Sequence, residues 1–140
     1  MSCVFCGIAS GAEPAHEVFR NRSVVAFLDR SPLFEGHTLV VPTDHVATLA
    51  DLHPDAVGPY FGVVQRISAA LPAALGCQGS FVAMNNVVSQ SVPHLHAHVV
   101  PRTRGDGLRG FFWPRTRYPD EARAASTAAA IAAAVDSRSG

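Results

Sequence analysis

No excess of charge of either sign marks this sequence, because eleven basic side chains balance eleven acidic ones over 140 residues. That balance provides no overall field to draw nucleic acid or an anionic membrane to the surface, so any anion must be bound locally. The chain does not open with a basic segment followed by an apolar one. No apolar run approaches the roughly 20 residues that span a bilayer, and the expectation is a cytoplasmic protein with no membrane partner. Cysteine is scarce: there are three, two of them in Cys3-Val-Phe-Cys6. An odd number so spaced does not make a secreted disulfide framework and fits a reducing compartment. Cys77 reads as a small buried apolar residue. A Walker loop, a carboxylate cluster for magnesium, an internal repeat and an interdomain linker are all missing. The length suffices to bury a core without disulfides. The expected organisation is one domain over residues 1–118, followed by an alanine-rich helix and tail over 119–140.

What is present reads as an α+β domain. Glu17–Arg20 and Ser23–Asp29 form a strand pair turning at Asn21-Arg22, and His37–Pro42 is short, β-branched and closed by proline, as a strand should be. Thr43 or Asp44 is positioned to cap a short helix through Leu52. From Pro54 to Leu75 the residues Val57, Phe61, Val64, Ile67, Ala70 and Leu71 recur at helical spacing, with Pro59 expected in the first turn. Ser80–Met84 and the segment after Ser91 supply two more strands. The expected fold is an antiparallel sheet of about five strands covered by one main helix. Arg102 to Tyr118, with five arginines and Phe111, Phe112 and Trp113, reads as a loop. Asp120 is placed to cap the final helix. His16 and His53 have no companions and are assigned to surface or turn positions.

The segment Ser91-Val-Pro-His94-Leu-His96-Ala-His98-Val-Val-Pro101 holds three of the seven histidines, alternating with apolar residues. If it is a strand, all three imidazoles share one face about 6.6 Å apart, while Leu95, Ala97 and Val99 enter the core. Two chemistries follow. One is a catalytic zinc held by several of these histidines. The other uses Cys3 and Cys6 as one half of a closed, structural zinc site, with His45 and one histidine of the row as candidates for the remaining ligands. His96 is then free to attack phosphorus, its second nitrogen donating to a carbonyl and His98 beside it. Asn85 or Asn86, Gln90 and Ser91 supply hydrogen-bond donors for phosphate oxygens.

Taken together, Cys3-x-x-Cys6 with Gly7-Ile8, Phe27-Leu-Asp29, Gly36-His37-Thr-Leu-Val-Val-Pro42, His45, and Gln90-Ser91-Val-Pro-His94-x-His96-x-His98-Val-Val-Pro101-Arg102 resemble the histidine-triad family of nucleotidyl hydrolases and transferases. The resemblance covers residues 3 to 102. It implies a homodimer whose sheets join, and hydrolysis of a nucleoside monophosphate, with adenine as the family's base, linked to an amine, a phosphate or a second nucleotide. It implies His96 as the nucleophile, His98 as a phosphate and leaving-group contact and His37 as the completion of the hydrogen-bond network. Asp29 corresponds to the ribose acceptor, Phe5, Ile8, Phe27 and Leu39 to the base pocket, and Asn85, Gln90 and Ser91 to the phosphate contacts. Cys3, Cys6, His45 and His94 match the ligands of a structural zinc.

The chain departs from the family pattern in Asn85-Asn86-Val-Val-Ser89-Gln90, which is shorter than usual and lacks both glycines that normally precede the glutamine. Close approach of the backbone to a phosphate is easiest at glycine, so this departure bears on the Asn85 contact and on the leaving group. The arginine-rich aromatic loop lies beyond the match and either selects a leaving group or packs on the dimer. The alternatives to a hydrolase are a nucleotidyl transferase or phosphorylase, a nucleotide-binding regulator with little turnover, and a zinc hydrolase. Nucleic-acid binding by the arginines has the least support, because one short basic stretch on a neutral chain gives only salt-sensitive, nonspecific affinity.

Overall fold

In a computed structural model of the chain, which describes residues 3–108 and 115–139, two compact units are formed, Met1–Asp106 and Gly107–Gly140. The first contains helix α1 (Val4–Ser10), strands β1 (Glu17–Arg20), β2 (Val24–Leu28) and β3 (Thr38–Pro42), a single 3₁₀ turn (Leu49–Asp51), helix α2 (Pro54–Leu75), and strands β4 (Gly79–Ala83) and β5 (Ala97–Arg102). The sheet order is β1-β2-β3-β5-β4, with every neighbouring pair antiparallel. This is the expected α+β sheet of five strands. The second unit holds helix α3 (Glu121–Ser139), capped as expected by Asp120, whose Oδ1 accepts from the Arg123 amide at 2.8 Å. Among the described residues no helix is long and apolar enough to cross a membrane. Arg109, Phe111, Phe112 and Trp113 lie outside the described residues.

The continuous apolar runs of β2 and β3 follow from burial on both faces. Val24, Ala26 and Val40 enter a core with α2, together with Tyr60, Val64, Ile67, Leu71, Leu95, Ala97 and Val99. Val25, Phe27, Leu39 and Val41 enter a second core with Phe5 and Ile8 of α1. The β1–β2 turn forms because Asn21 Oδ1 accepts from the amides of Ser23 and Val24 at 2.9 and 2.8 Å, satisfying the backbone where the chain reverses. Cys77 packs partly buried against the first core.

Four local expectations are corrected. The helix through Leu52 reduces to one 3₁₀ turn, because the carbonyls of Val46 and Ala47 are taken by the Leu95 amide and the Gln90 side chain at 2.7 and 2.6 Å. Pro59 is inside α2 and not in its first turn, since the helix starts at Pro54 with His53 as its cap. The buried stripe of α2 is Tyr60, Val63, Val64, Ile67 and Leu71, whereas Val57 is 38% exposed and Ala70 is also exposed. Tyr60 rotates this stripe inward because its hydroxyl donates to the Val40 carbonyl at 2.8 Å, which allows the ring to be buried. The histidine run is not one strand: β5 begins at Ala97, preceded by a tight turn in which the His94 amide donates to the Val92 carbonyl at 2.8 Å. The alternation nevertheless persists, with Leu95, Ala97 and Val99 fully buried in the α2 core.

Helix α1 was not among the expected elements. Cys3 caps it, its sulfur accepting from the Cys6 amide at 3.4 Å, and Gly11 ends it in the left-handed region at φ 86°.

Candidate active site and metal cluster

Helix α1 presents Cys3 at its cap and Cys6 one turn in. The segment after β3 contributes His45, and the turn before β5 contributes His94. Their ligand atoms all lie within 4.8 Å of one another. Cys3 Sγ and Cys6 Sγ lie 3.4 and 3.5 Å from His94 Nδ1, and Cys6 Sγ lies 3.3 Å from His45 Nδ1. Tetrahedral zinc with ordinary bonds to sulfur and nitrogen separates its ligand atoms by roughly 3.5 Å, so the four donors fit a closed structural site. The buried His94 ring is oriented from behind: its Nε2 lies 2.8 Å from the Pro42 carbonyl. A carbonyl only accepts, so Nε2 carries the proton and the lone pair of Nδ1 faces the thiols, the orientation a metal ligand needs. Burial, and then the neighbouring Cys3 thiol, push the Cys6 thiol up in pKa. A bound cation would offset both effects.

The same hydrogen-bond logic assigns the other imidazoles. Nδ1 of His96 lies 2.8 Å from the His94 carbonyl and therefore carries a proton, leaving the lone pair on Nε2. The His96 ring is buried, with the edge of Phe5 against it at 5.0 Å between centroids and His98 at 5.1 Å. His37, at the start of β3, accepts the Leu33 amide on Nδ1 at 3.0 Å, so its proton is on Nε2, which lies 2.9 Å from His98 Nδ1. His98 Nδ1 is thus an acceptor, and its remaining proton is on Nε2. Burial pulls His98 down to about 4, helped by His96 and His37 and opposed by Asp29. His37 is lowered by burial, again against Asp29. The proton at neutral pH is therefore held on a neutral His98, a hydrogen-bond donor.

Asp29 lies with Oδ2 3.6 Å from His37 Nε2, while its Oδ1 caps the following turn by accepting the Ser31 amide at 2.9 Å. The ligand atoms of Asp29, His37 and His98 also fall within 4.8 Å of one another. A cation there would need the lone pair of His37 Nε2, but the Leu33 amide fixes a proton on that nitrogen. The arrangement is a hydrogen-bond relay. The three imidazoles of the run do not converge on one metal, since His94 turns to the thiols and His98 to His37.

Phe5, Ile8, Phe27 and Leu39 are brought together as buried members of the second core, with Phe5 edge-on to Phe27 at 5.5 Å. Ser91 is exposed, and Gln90 is half-buried with its side-chain oxygen accepting the Val87 amide at 3.2 Å. Asn85 Nδ2 donates to the Ser89 carbonyl at 3.2 Å, and Asn86 Oδ1 accepts the Leu49 amide at 2.7 Å. Sequence reasoning expected a carbonyl behind His96 without identifying it as that of His94, and it missed the backbone groups of Leu33 and Pro42 that set the tautomers of His37 and His94, because main-chain donors and acceptors leave no trace in residue identity. It also missed His53, whose Nδ1 caps α2 by accepting the Asp55 amide at 3.1 Å.

The HIT domain model matches residues 10–105. The chain belongs to the HIT, or histidine-triad, family. It is similar to an uncharacterized HIT-like protein of Mycobacterium tuberculosis, 37% identical over 110 residues, covering 77% of this chain and 76% of the relative. Adenosine 5′-monophosphoramidase hnt1 of Schizosaccharomyces pombe is 31% identical over 116 residues, covering 81% of this chain and 84% of the relative. Adenylylsulfatase HINT3 of Arabidopsis thaliana is 33% identical over 108 residues, covering 76% of this chain and 55% of the relative. Among solved structures, a zinc-bound histidine-triad protein from Mycobacterium smegmatis is 38% identical with a TM-score of 0.73, covering 99% of this chain and 98% of that one. A Streptococcus mutans structure reaches a TM-score of 0.87 at 32% identity, covering 95% of this chain and 85% of that one.

Proposed function

We propose that this protein is a nucleotide hydrolase that cleaves at the α-phosphate of a nucleoside phosphoramidate or a dinucleoside polyphosphate through a nucleotidyl-histidine intermediate. The observation that carries the reading is the His96 imidazole, whose Nδ1–H is committed to the His94 carbonyl and whose Nε2 lone pair is therefore available. That lone pair forms a bond to the α-phosphorus as the bond to the leaving oxygen or nitrogen breaks and its electron pair goes to the leaving atom. A phosphate leaves as the anion, and an amine leaves after protonation from the medium. The positive charge gained by the His96 ring is stabilised by the His94 carbonyl. Water then attacks phosphorus, the P–Nε2 bond returns its pair to His96, and the monophosphate and a proton are released.

The remaining residues bind and orient. His98, neutral at pH 7, donates Nε2–H to a phosphoryl or leaving atom, and His37 holds it in that tautomer. Asp29 accepts a ribose hydroxyl. Asn85 and Ser91 serve the phosphate, and Phe5, Ile8, Phe27 and Leu39 form the wall for the base. The names of two relatives, a monophosphoramidase and an adenylylsulfatase, support adenine and a variable leaving group. Zinc, when bound by Cys3, Cys6, His45 and His94, supplies structural cross-linking of α1 to the triad turn. We place the protein in the cytoplasm as a homodimer with joined sheets.

The test is release of AMP from adenosine phosphoramidate and from diadenosine triphosphate and tetraphosphate, measured by chromatography for the natural chain and for His96→Ala. Release that disappears in the variant is expected. No release from any substrate by the folded natural chain would overturn the hydrolase reading in favour of a transferase or a nucleotide-binding regulator.

A further inference from the structure

Among the described residues two non-glycines adopt left-handed backbone, Val87 at φ 71° and Ser89 at φ 63°, and both fall in the loop between β4 and the triad turn. A β-branched residue is the least suited to that conformation. Burial does not hold it there, since Val87 and Val88 are 74% and 79% exposed. The restraint comes from hydrogen bonds, and the half-buried Gln90 side chain makes two of them in opposite directions. Its Oε1 accepts the Val87 amide at 3.2 Å and its Nε2 donates to the Ala47 carbonyl at 2.6 Å. The neighbouring Val46 carbonyl accepts the Leu95 amide at 2.7 Å, between His94 and His96. Gln90 therefore ties a strained loop to the same segment that holds the reactive turn, and Ser91 is the next residue along.

We propose that Gln90 is a positioning residue: its amide clamps the left-handed Val87–Ser89 backbone onto Ala47 and so fixes Ser91 and the approach to His94 and His96. Its contribution to turnover comes through this clamp and not through a bond to phosphate. The inference rests on the hydrolase reading. The clamp matters here because Val87 and Ser89 hold left-handed positions that glycine would occupy without such restraint.

Four proteins test it: the natural chain, Gln90→Met, the pair Val87→Gly with Ser89→Gly, and the triple variant. Gln90→Met is expected to lower kcat about tenfold or more with little change in KM, as a misplaced reacting group does. The glycine pair alone is expected to stay within about twofold, and in the triple variant to restore most of the lost kcat, because glycine adopts the loop conformation without restraint. A direct phosphate contact would instead raise KM and would not be rescued by glycine, and that result overturns the proposal, as does an unaltered kcat in Gln90→Met. Amide hydrogen exchange at Val87 gives a reading independent of turnover. Protection in the natural chain that is lost in Gln90→Met supports the clamp, and an amide that exchanges freely in the natural chain removes it. If the natural chain releases no AMP, the hydrolase reading and with it the positioning role both fall, whereas activity in the natural chain without glycine rescue removes the positioning role alone.

Discussion

The main-chain carbonyl of His94 accepts Nδ1 of His96 at 2.8 Å, while the His94 ring turns its own Nδ1 to the sulfurs of Cys3 and Cys6 at 3.4 and 3.5 Å. One residue therefore belongs to the metal cluster through its ring and to the reactive imidazole through its backbone. The ring is further fixed by the Pro42 carbonyl at the end of β3. The position of His96 Nε2, the nitrogen proposed as the nucleophile, is thus set by the sheet and by the cluster together.

Zinc at this cluster is expected to contribute to folding, since the four ligands come from segments that meet only in the folded chain. Cys6→Ser should reduce bound zinc in protein purified without chelator from about one per chain, measured by elemental analysis. A hundredfold loss of affinity would take about 3 kcal/mol from stability at saturating zinc and lower the thermal midpoint. A natural chain that retains no zinc and whose melting is unchanged by added zinc would exclude a structural metal here.

The depressed His98 gives a pH dependence of known sign. Its value falls from 6.5 to about 4 on folding, chiefly through burial, so between these limits the unfolded chain binds more protons than the folded one. Stability is therefore full above about pH 6.5, declines as the pH falls toward 4, and is independent of this group below that. His37 and His94, lowered by burial, act in the same direction. Because His98 is partly exposed, solvent screening reduces its share to about 1–2 kcal/mol. Urea midpoints at a series of pH values for the natural chain and His98→Asn should show a shallower acid decline in the variant, and equal slopes would contradict the assignment.

How much of this was legible depended on where the information resides. The strands β2 and β3 and the full extent of α2 were readable because contiguous apolar runs, the Asn21 turn and the helical spacing that opens at Pro54 are properties of residue type. Helix α1 was not, because seven residues capped by a thiol carry too little periodicity. The α2 stripe was misaligned since a tyrosine counts as half polar until a buried acceptor, here the Val40 carbonyl, takes its hydroxyl. The histidine run looked like a strand because its alternation is real, but strand pairing with β3 reaches back only to Ala97. At the site, the cysteines and histidines announce themselves by type, whereas the loop strain at Val87 and Ser89 arises from missing glycines whose consequence appears only in the backbone angles.

Tyr60→Phe tests the sheet and helix independently of the site. The variant leaves the buried Val40 carbonyl without its hydroxyl partner, and the expected loss is about 1–3 kcal/mol. AMP release per folded molecule should be unchanged, because the Tyr60 ring belongs to the α2 core whereas Phe5, against His96, belongs to the core on α1. A variant with natural stability would show that water replaces the hydroxyl at no cost, and one with natural stability but reduced turnover would connect α2 to the chemistry.

The relay from Leu33 through His37 to His98 makes a prediction that needs no substitution. An amide N–H can only donate, so the 3.0 Å contact from Leu33 forces His37 Nδ1 to accept, His37 Nε2–H to donate to His98 Nδ1 at 2.9 Å, and His98 to keep its proton on Nε2. The carbonyls of Pro42 and His94 force the proton onto Nε2 of His94 and Nδ1 of His96. Long-range ¹⁵N spectra of the histidine rings near pH 7.5 should therefore show His96 protonated on Nδ1, with His37, His94 and His98 protonated on Nε2. A proton on His98 Nδ1 would make that nitrogen a second donor facing His37 Nε2–H, break the relay, and leave His98 with a lone pair on Nε2 facing the substrate. The ring would then be a hydrogen-bond acceptor toward phosphate, and the role assigned to it in leaving-group stabilisation would be lost.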